Sequence, residues 1–148
     1  ENGDPKRYRL PRPMAGKGYV FSFSGLKTAV MRVVENEKDA LNMADLCASL
    51  QHAVAETFAE KVEMALEETG VKRLVMAGGV AANRPLRERM QQLADRHKAE
   101  LLLPTIHLCT DNAAMIAAHA FFTAESAPAN SLEVNAVATW EMGGAHNF

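Results

Sequence analysis

Two glycines and an asparagine form the pattern in this sequence that is most suggestive of chemistry. Gly78 and Gly79 follow the apolar run 74–77, and Asn83 with Pro85 is typical of a helix start. Glycines let the backbone turn sharply and approach a bound group, and a helix N-terminus attracts anions. The pattern predicts a buried strand, a turn and a helix that together cradle a phosphate or nucleotide. A tight turn without a ligand is an equal alternative on these residues alone.

A second candidate residue is Asp111, which follows a short apolar strand predicted at residues 101–103. Thr110 is predicted to cap a helix that runs from Asp111 to about Ala124. Asp111 then lies beyond the C-terminal end of a strand, where the ligand sites of open α/β sheets gather. From the residues alone, its favoured role is to complement the helix dipole. His107 lies in a predicted loop and is interpreted as structural.

A long helix at residues 44–69 is predicted to support these turns. Gly70 ends it, and an apolar residue recurs at every fourth position. The recurring residues are Leu46, Leu50, Val54, Phe58, Val62 and Leu66. The acidic residues of this helix are interpreted as a solvated face, and they are Glu56, Glu60, Glu63 and Glu67. Two successive strand–helix units after this helix imply parallel strands and an α/β class.

The N-terminal region is turn-rich and basic. Alternating aromatic and small residues predict a strand at 19–24, which a short strand at 8–10 would join in a hairpin. The basic residues Lys6, Arg7, Arg9 and Arg12 are interpreted as part of a solvated irregular arm. Contact with an RNA backbone is the alternative. At the other end, residues 126–148 are predicted to be poorly ordered, with one possible short strand at 134–140.

The composition is that of a single ordinary globular domain. The 148 residues are 48% hydrophobic and 23% charged, with a net charge of −2, which does not favour a broadly basic nucleic-acid binder. Cys47 and Cys109 are predicted to be buried, reduced thiols. No apolar run is long enough to span a membrane. We therefore expect a cytoplasmic protein without membrane contact.

Three segments, taken together, resemble the TsaD family of tRNA threonylcarbamoyladenosine transferases, earlier labelled O-sialoglycoprotein endopeptidases (Gcp). The first is Pro-Arg-Pro-Met at 11–14, leading to Phe-Ser-Phe-Ser-Gly-Leu-Lys-Thr at 21–28. The second is Gly-Gly-Val-Ala-Ala-Asn at 78–83. The third is Cys-Thr-Asp-Asn-Ala-Ala-Met-Ile-Ala at 109–117. The likeness extends from about residue 5 to residue 125.

The resemblance implies an actin-like fold of the sugar-kinase and ribonuclease-H-like type, with two lobes around a cleft. This chain would be the later part of the second lobe. Its expected parts are an arm and hairpin at 1–24, the long helix at 44–69, a βαβα core at 72–125 and a tail at 126–148.

The resemblance also implies a reaction and its site residues. Asn83 would bind the nucleotide-like substrate, the Gly78–Gly79 turn would lie against its phosphate or sugar, and Asp111 would ligate one metal ion, iron or zinc. The reaction would transfer a threonylcarbamoyl group from threonylcarbamoyl-AMP to the adenosine beside a tRNA anticodon. Accessory subunits of a tRNA-modification complex are the implied partners.

The sequence departs from the family pattern in its histidines. The family's other metal ligands form His-x-x-x-His, and none of the five histidines here has that spacing. One carboxylate does not hold a catalytic iron or zinc ion, which needs about three protein ligands. We therefore expect this chain alone to be inactive, as a truncated form or proteolytic remnant. Its incomplete sheet would favour self-association.

Two other functions are compatible with parts of the pattern. An actin-like small-molecule kinase also places a glycine turn against adenosine, but the segment 21–28 argues against it. A non-catalytic module that binds a partner through the long helix is the second alternative. A metalloprotease is disfavoured because the sequence contains no His-Glu-x-x-His.

Overall fold

The computed structural model describes residues 3–123, which form helices and one two-stranded sheet. The chain divides into two units, residues 1–110 and 111–148. In the first unit, the helices and strands are α1 (Ser24–Glu37), α2 (Met43–Thr69), β1 (Arg73–Val75), α3 (Arg84–His97) and β2 (Glu100–Leu102). Short 3₁₀ turns occupy Lys38–Ala40, Gly79–Ala82 and Ile106–Leu108. The described part of the second unit contains α4 (Ala113–Thr123).

The long helix α2 confirms the predicted scaffold. Asn42 caps its start, because the Asn42 side chain accepts a hydrogen bond from the Asp45 N–H at 3.2 Å. Gly70 ends it in the left-handed region, with φ of 67°. No glycine or proline interrupts the 27 residues between them.

The core forms where α3 crosses the alanines of α2. Ala55 and Ala59 are buried against Leu86 and Met90 of α3. The larger residues Phe58, Val62, Met76 and Leu101 surround this cluster and are partly buried. Among the predicted apolar residues that recur at every fourth position of α2, only Leu46 and Leu66 are fully buried. The reason is that α3 approaches α2 most closely over the small residues of α2. Truncation of Met90 to alanine should cost about 2–5 kcal/mol.

The two strands confirm the predicted parallel pairing. Val75 lies opposite Leu102 and Leu74 opposite Leu101, and α3 forms the crossover. Each strand begins one residue earlier than predicted. The prediction of burial on both faces is wrong, because Val75 is 65% exposed. Alternate residues of a strand point to opposite faces, and only the face of Leu74 and Leu101 is partly covered.

The predicted N-terminal hairpin is wrong, since residues 8–10 and 19–23 form no strand. Residues 4–18, here called the N-terminal arm, lie along α2 and bond to its side chains. The Tyr8 N–H donates to Ser49 Oγ at 3.2 Å, and the Gly16 N–H donates to Glu60 Oε1 at 2.7 Å. The N–H group of Tyr8, which a hairpin would have paired, is satisfied by α2 instead.

The aromatic residues after the arm contact α2 through their rings. The Phe21 and Phe23 ring centroids lie 5.1 and 6.0 Å from that of Phe58. α1 then runs from Ser24 to Glu37, and Phe23 occupies its cap position without making a side-chain cap bond.

In the second unit, α4 begins two residues later than predicted. Asn112 supplies the cap in place of Thr110, since Asn112 Oδ1 accepts a hydrogen bond from the Met115 N–H at 3.0 Å. Asp111 precedes the helix and is exposed. The predicted tail at 126–148 and its strand at 134–140 lie outside the described residues. None of the helices in residues 3–123 has the length and hydropathy of a bilayer-spanning segment.

Candidate nucleotide site

The turn after β1 depends on the conformation of Gly78. Its φ of 84° and ψ of 172° are essentially restricted to glycine. A Cβ added at this position would meet no atom within 4 Å, so the requirement is conformational rather than one of space. The 3₁₀ turn Gly79–Ala82 follows, and its exposed residues include Val80, which is 60% exposed. Within the first unit, the turn therefore presents an accessible backbone.

Asn83 ends this turn and caps α3, as the sequence predicted. Its Oδ1 accepts a hydrogen bond from the Leu86 N–H at 3.0 Å, and Pro85 lies in the first helical turn. The Asn83 Nδ2 donates to Gln51 Oε1 of α2 at 3.3 Å. An amide nitrogen carries two donors, so Gln51 fixes the plane of the amide while using one of them. Sequence reasoning did not identify Gln51, which no motif distinguishes.

Arg87 joins this turn to the loop that follows β2. Its Nε donates to the carbonyl oxygen of Ala81, and its Nη2 donates to the carbonyl oxygen of Pro104 at 2.7 Å. Arg87 is partly buried, although sequence reasoning did not identify it as part of the site. The available signal was its position one helical turn after Asn83, which places it beside the cap.

The loop after β2 is held from its other end by Cys109. This residue is 4% exposed, and its Sγ lies 3.2 Å from Arg87 Nη2 and 3.6 Å from the Thr105 carbonyl oxygen. A buried free thiol was predicted here and is confirmed. For Cys47 the same prediction is wrong, because Cys47 is exposed on the surface of α2. The two loops beyond the strand ends are thus linked through Arg87.

The acidic residues of α2 are mostly paired, which corrects their interpretation as a solvated face. Arg89 Nε and Nη2 bind the two oxygens of Glu56 at 2.5 and 3.2 Å. The hydrogen bond from Arg89 lowers the pKa of Glu56, and the Glu56 bond in turn raises the pKa of Arg89. This pair borders a cleft of about 590 Å³ between α2 and the start of α3, which is also lined by Gln51 and Arg84.

Neither this cleft nor a second one beside the N-terminal arm is lined by Gly78, Gly79 or Asn83. The candidate site is indicated by the turn itself, which is accessible within the first unit and carries the glycine conformation of Gly78. Asp111 belongs to the second unit. Its role as a metal ligand stays a prediction.

One group of possible metal ligands occurs within residues 3–123. It consists of Glu63, Glu67 and His97, whose ligand atoms lie within 4.8 Å of one another, and it does not include Asp111. Glu63 Oε1 already accepts a hydrogen bond from Arg96 at 3.0 Å and lies 3.2 Å from His97 Nε2. An arginine on the same oxygen opposes the approach of a cation, so we interpret this group as an ion-pair cluster.

Comparison with known proteins gives a consistent result. The family model for TsaD, tRNA N6-adenosine threonylcarbamoyltransferase, matches residues 1–118. Relatives of that name from Pelobacter propionicus and Trichlorobacter lovleyi are 45% and 43% identical, each over 96% of this chain. One from Thermosipho africanus is 46% identical over 79% of the chain.

The match extends over most of this chain, but it covers a smaller share of the length of each relative. The chain spans 43% of the length of the first two relatives and 36% of the third. The family match includes the arm, the Gly78–Asn83 turn and Asp111. The chain therefore belongs to the TsaD family of tRNA N6-adenosine threonylcarbamoyltransferases.

Proposed function

We propose that this chain supplies the adenylate-binding side of a threonylcarbamoyltransferase site. The complete enzyme would act in the cytoplasm with accessory subunits, transferring threonylcarbamoyl from threonylcarbamoyl-AMP to an adenosine of tRNA. The observation that supports this role is the turn at Gly78–Asn83. It combines a glycine-restricted backbone with a helix N-terminus whose capping amide is oriented by Gln51.

The turn suits a group that carries a phosphate and a ribose. The positive φ of Gly78 lets the backbone approach without a side chain, and the dipole of α3 favours negative charge at its first turn. The second hydrogen of Asn83 Nδ2 would donate to a ribose or phosphate oxygen. In the reaction, the adenosine amino nitrogen attacks the carbamoyl carbon, a new C–N bond forms, and the bond to AMP breaks. Fixing the AMP lowers the entropic cost of that attack.

The metal implied by the family does not fit the donors of this chain alone. Asp111 offers one carboxylate, the sequence contains no His-x-x-x-His, and the one ligand cluster within residues 3–123 lacks Asp111. Iron or zinc at a catalytic site needs about three protein ligands. We therefore propose that Asp111 completes a metal site whose other ligands lie in the rest of the enzyme, and that this chain alone does not catalyse transfer.

A chimera tests this function. The matched part of the Pelobacter propionicus relative is exchanged for this chain, and transfer of labelled threonylcarbamoyl to tRNA is measured. We expect the chimera to be active, the 148-residue chain to be inactive, and Asn83→Ala and Asp111→Ala each to lower the chimera's rate at least tenfold. Glu88→Gln, on the exposed side of α3, serves as the control. A folded but inactive chimera, or full activity of both site variants, contradicts the proposal.

Self-association through the open sheet is a further part of this proposal. Val75 is 65% and Leu102 41% exposed, and the two lie side by side in the register. Such an apolar strand pair is a surface on which another chain can dock. We expect Val75→Lys to shift the chain towards monomer in sedimentation velocity. Val20→Lys, at a valine that is 55% exposed in the segment before α1, should have no such effect.

A further inference from the structure

The N-terminal arm concentrates positive charge in a chain that is acidic overall. Residues 4–18 contain five cationic side chains and one anionic side chain, a net charge of +4, whereas the whole chain carries −2. Four of these cations occur within seven residues, at Lys6, Arg7, Arg9 and Arg12. All four side chains are exposed. The arm is therefore a local basic strip on a chain whose overall charge is negative.

The backbone of the arm is fixed to α2 at both ends. The Asp4 N–H donates to Asp45 Oδ1 at 2.7 Å, and Lys61 Nζ donates to the Met14 carbonyl oxygen at 2.6 Å. Between them, the buried ring of Tyr8 lies against the helix. The arm runs in the direction of α2, and its contacts from Asp45 to Lys61 extend over about 24 Å at 1.5 Å per helical residue. That length matches several nucleotides of a polynucleotide strand.

The neighbouring carboxylates are already engaged. Glu56 binds Arg89 through both of its oxygens, and Glu60 accepts the Gly16 N–H while lying 3.9 Å from Lys61. In the described part of the chain, Lys6, Arg7, Arg9 and Arg12 form no ion pair. Because the backbone that carries these exposed cations is already ordered, binding a polyanion costs little further backbone entropy.

Three of these cations border a cleft suited to a phosphate. Lys6, Arg9 and Arg12 line a space of about 660 Å³, together with His52 and Glu56 of α2. The one carboxylate in this lining, Glu56, is bound by Arg89 through both of its oxygens, so the three arm cations still outnumber it. The guanidinium groups offer paired N–H donors that match phosphate oxygens, and the His52 ring adds a polar side chain to the same space.

We propose that the N-terminal arm is a contact surface for the phosphate backbone of tRNA. This inference rests on the proposed function, which requires a tRNA substrate, and it assigns part of that tRNA's binding to a surface separate from the Gly78–Asn83 turn. Fixed cations replace condensed counterions along the RNA, so the contact gains free energy from counterion release and weakens as salt rises.

The test measures binding of unmodified tRNA to the 148-residue chain by fluorescence anisotropy at several salt concentrations. Arg9→Gln with Arg12→Gln should weaken binding roughly 10- to 50-fold near 0.1 M salt and make the slope of log K against log salt shallower by about 1.5. Arg32→Gln with Lys98→Gln removes two exposed cations from α1 and from the end of α3. This matched control should change binding less than threefold. Circular dichroism checks that both variants are folded.

Each alternative outcome is distinct. Absence of tRNA binding by the chain, or equal loss in both double variants, overturns the proposal. Arm-dependent binding to phosphatidylserine vesicles without arm-dependent binding to tRNA also overturns it and identifies a membrane surface instead. An active chimera whose tRNA affinity is independent of the arm leaves the transferase proposal standing. An inactive chimera with intact arm-dependent RNA binding refutes the transferase proposal alone.

Discussion

Arg87 of α3 and Pro104 of the loop after β2 are joined by a 2.7 Å hydrogen bond from Nη2 to the carbonyl oxygen. The same guanidinium bonds to Ala81 in the other loop. Lysine offers a single point of attachment where arginine has a planar fork. We expect Arg87→Lys to lower the free energy of unfolding by about 1–3 kcal/mol, measured by urea denaturation.

The matched control for this prediction is Arg73→Lys. Arg73 pairs with Glu100 on the surface, with side chains 70% and 58% exposed, and such pairs contribute little. The change should be within 0.5 kcal/mol. Hydrogen exchange should also quicken at Asn83 and Cys109 in the Arg87 variant. Equal stability of the two variants would show that Arg87 does not hold the loops.

The Glu56–Arg89 pair predicts an acid-dependent stability. Because the Arg89 hydrogen bond lowers the pKa of Glu56 in the folded state, Glu56 stabilises the fold above its ordinary pKa near 4.5. That contribution is lost as the pH falls through the lowered pKa. Glu56→Gln should therefore cost about 1–2 kcal/mol at pH 7 and progressively less between pH 5 and pH 3. Urea unfolding at each pH measures the difference.

Glu88→Gln is the control for this pH dependence. Glu88 pairs with Arg84 on the exposed side of α3, where both side chains are more than half exposed. Its variant should differ from the parent by less than 0.5 kcal/mol at every pH. A Glu56→Gln deficit that stays constant from pH 7 to pH 3 would contradict the assignment.

Asn83 is predicted to have two separable roles. Serine at this position keeps a capping oxygen but removes the amide donor, so Asn83→Ser should stay within about 0.5 kcal/mol of the parent. Asn83→Ala should lose about 1 kcal/mol. Both variants should bind AMP about tenfold more weakly, measured by equilibrium dialysis, as expected for one lost hydrogen bond. Asn42→Ser, which alters the cap of α2 instead, should leave AMP binding intact.

The two cysteine thiols are expected to react with a thiol reagent at different rates. Cys47 is exposed and Cys109 is buried, so a thiol reagent such as Ellman's reagent should modify one thiol per native chain rapidly. The second thiol should react only after denaturation. Cys47→Ser should abolish the rapid phase, whereas Cys109→Ser should retain it. Rapid modification of two thiols in the native chain would refute the burial of Cys109.

Much of the fold was predictable because local signals agreed with packing. Gly70 and Asn83 define helix boundaries through backbone and cap chemistry that operates within one turn. The parallel pairing followed from the spacing of two short apolar runs. Strand burial was not predictable, because apolar composition does not reveal how many layers cover a sheet. The exposure of Val75 depends on neighbours that the residue itself does not specify.

The turn of the candidate site was predictable from the sequence, but the residues that hold this turn in place were not. Gly78 and Asn83 carry backbone and capping preferences that are visible in the sequence. Gln51 and Arg87 act through contacts made across 32 and 17 residues, which no local pattern encodes. The segment 19–24 was misread for the same reason: its alternation is typical of a strand, yet Phe21 and Phe23 instead contact Phe58 of α2 through their rings.

The docking of the arm also sets an order of events during synthesis. Every hydrogen bond between the arm and α2 joins positions 41–47 residues apart, so none forms until the ribosome has released α2. At 5–20 residues per second, residues 4–18 wait roughly 2–9 s for their partners. The basic strip leaves the ribosome as a flexible polycation and becomes a defined surface only when Lys61 emerges.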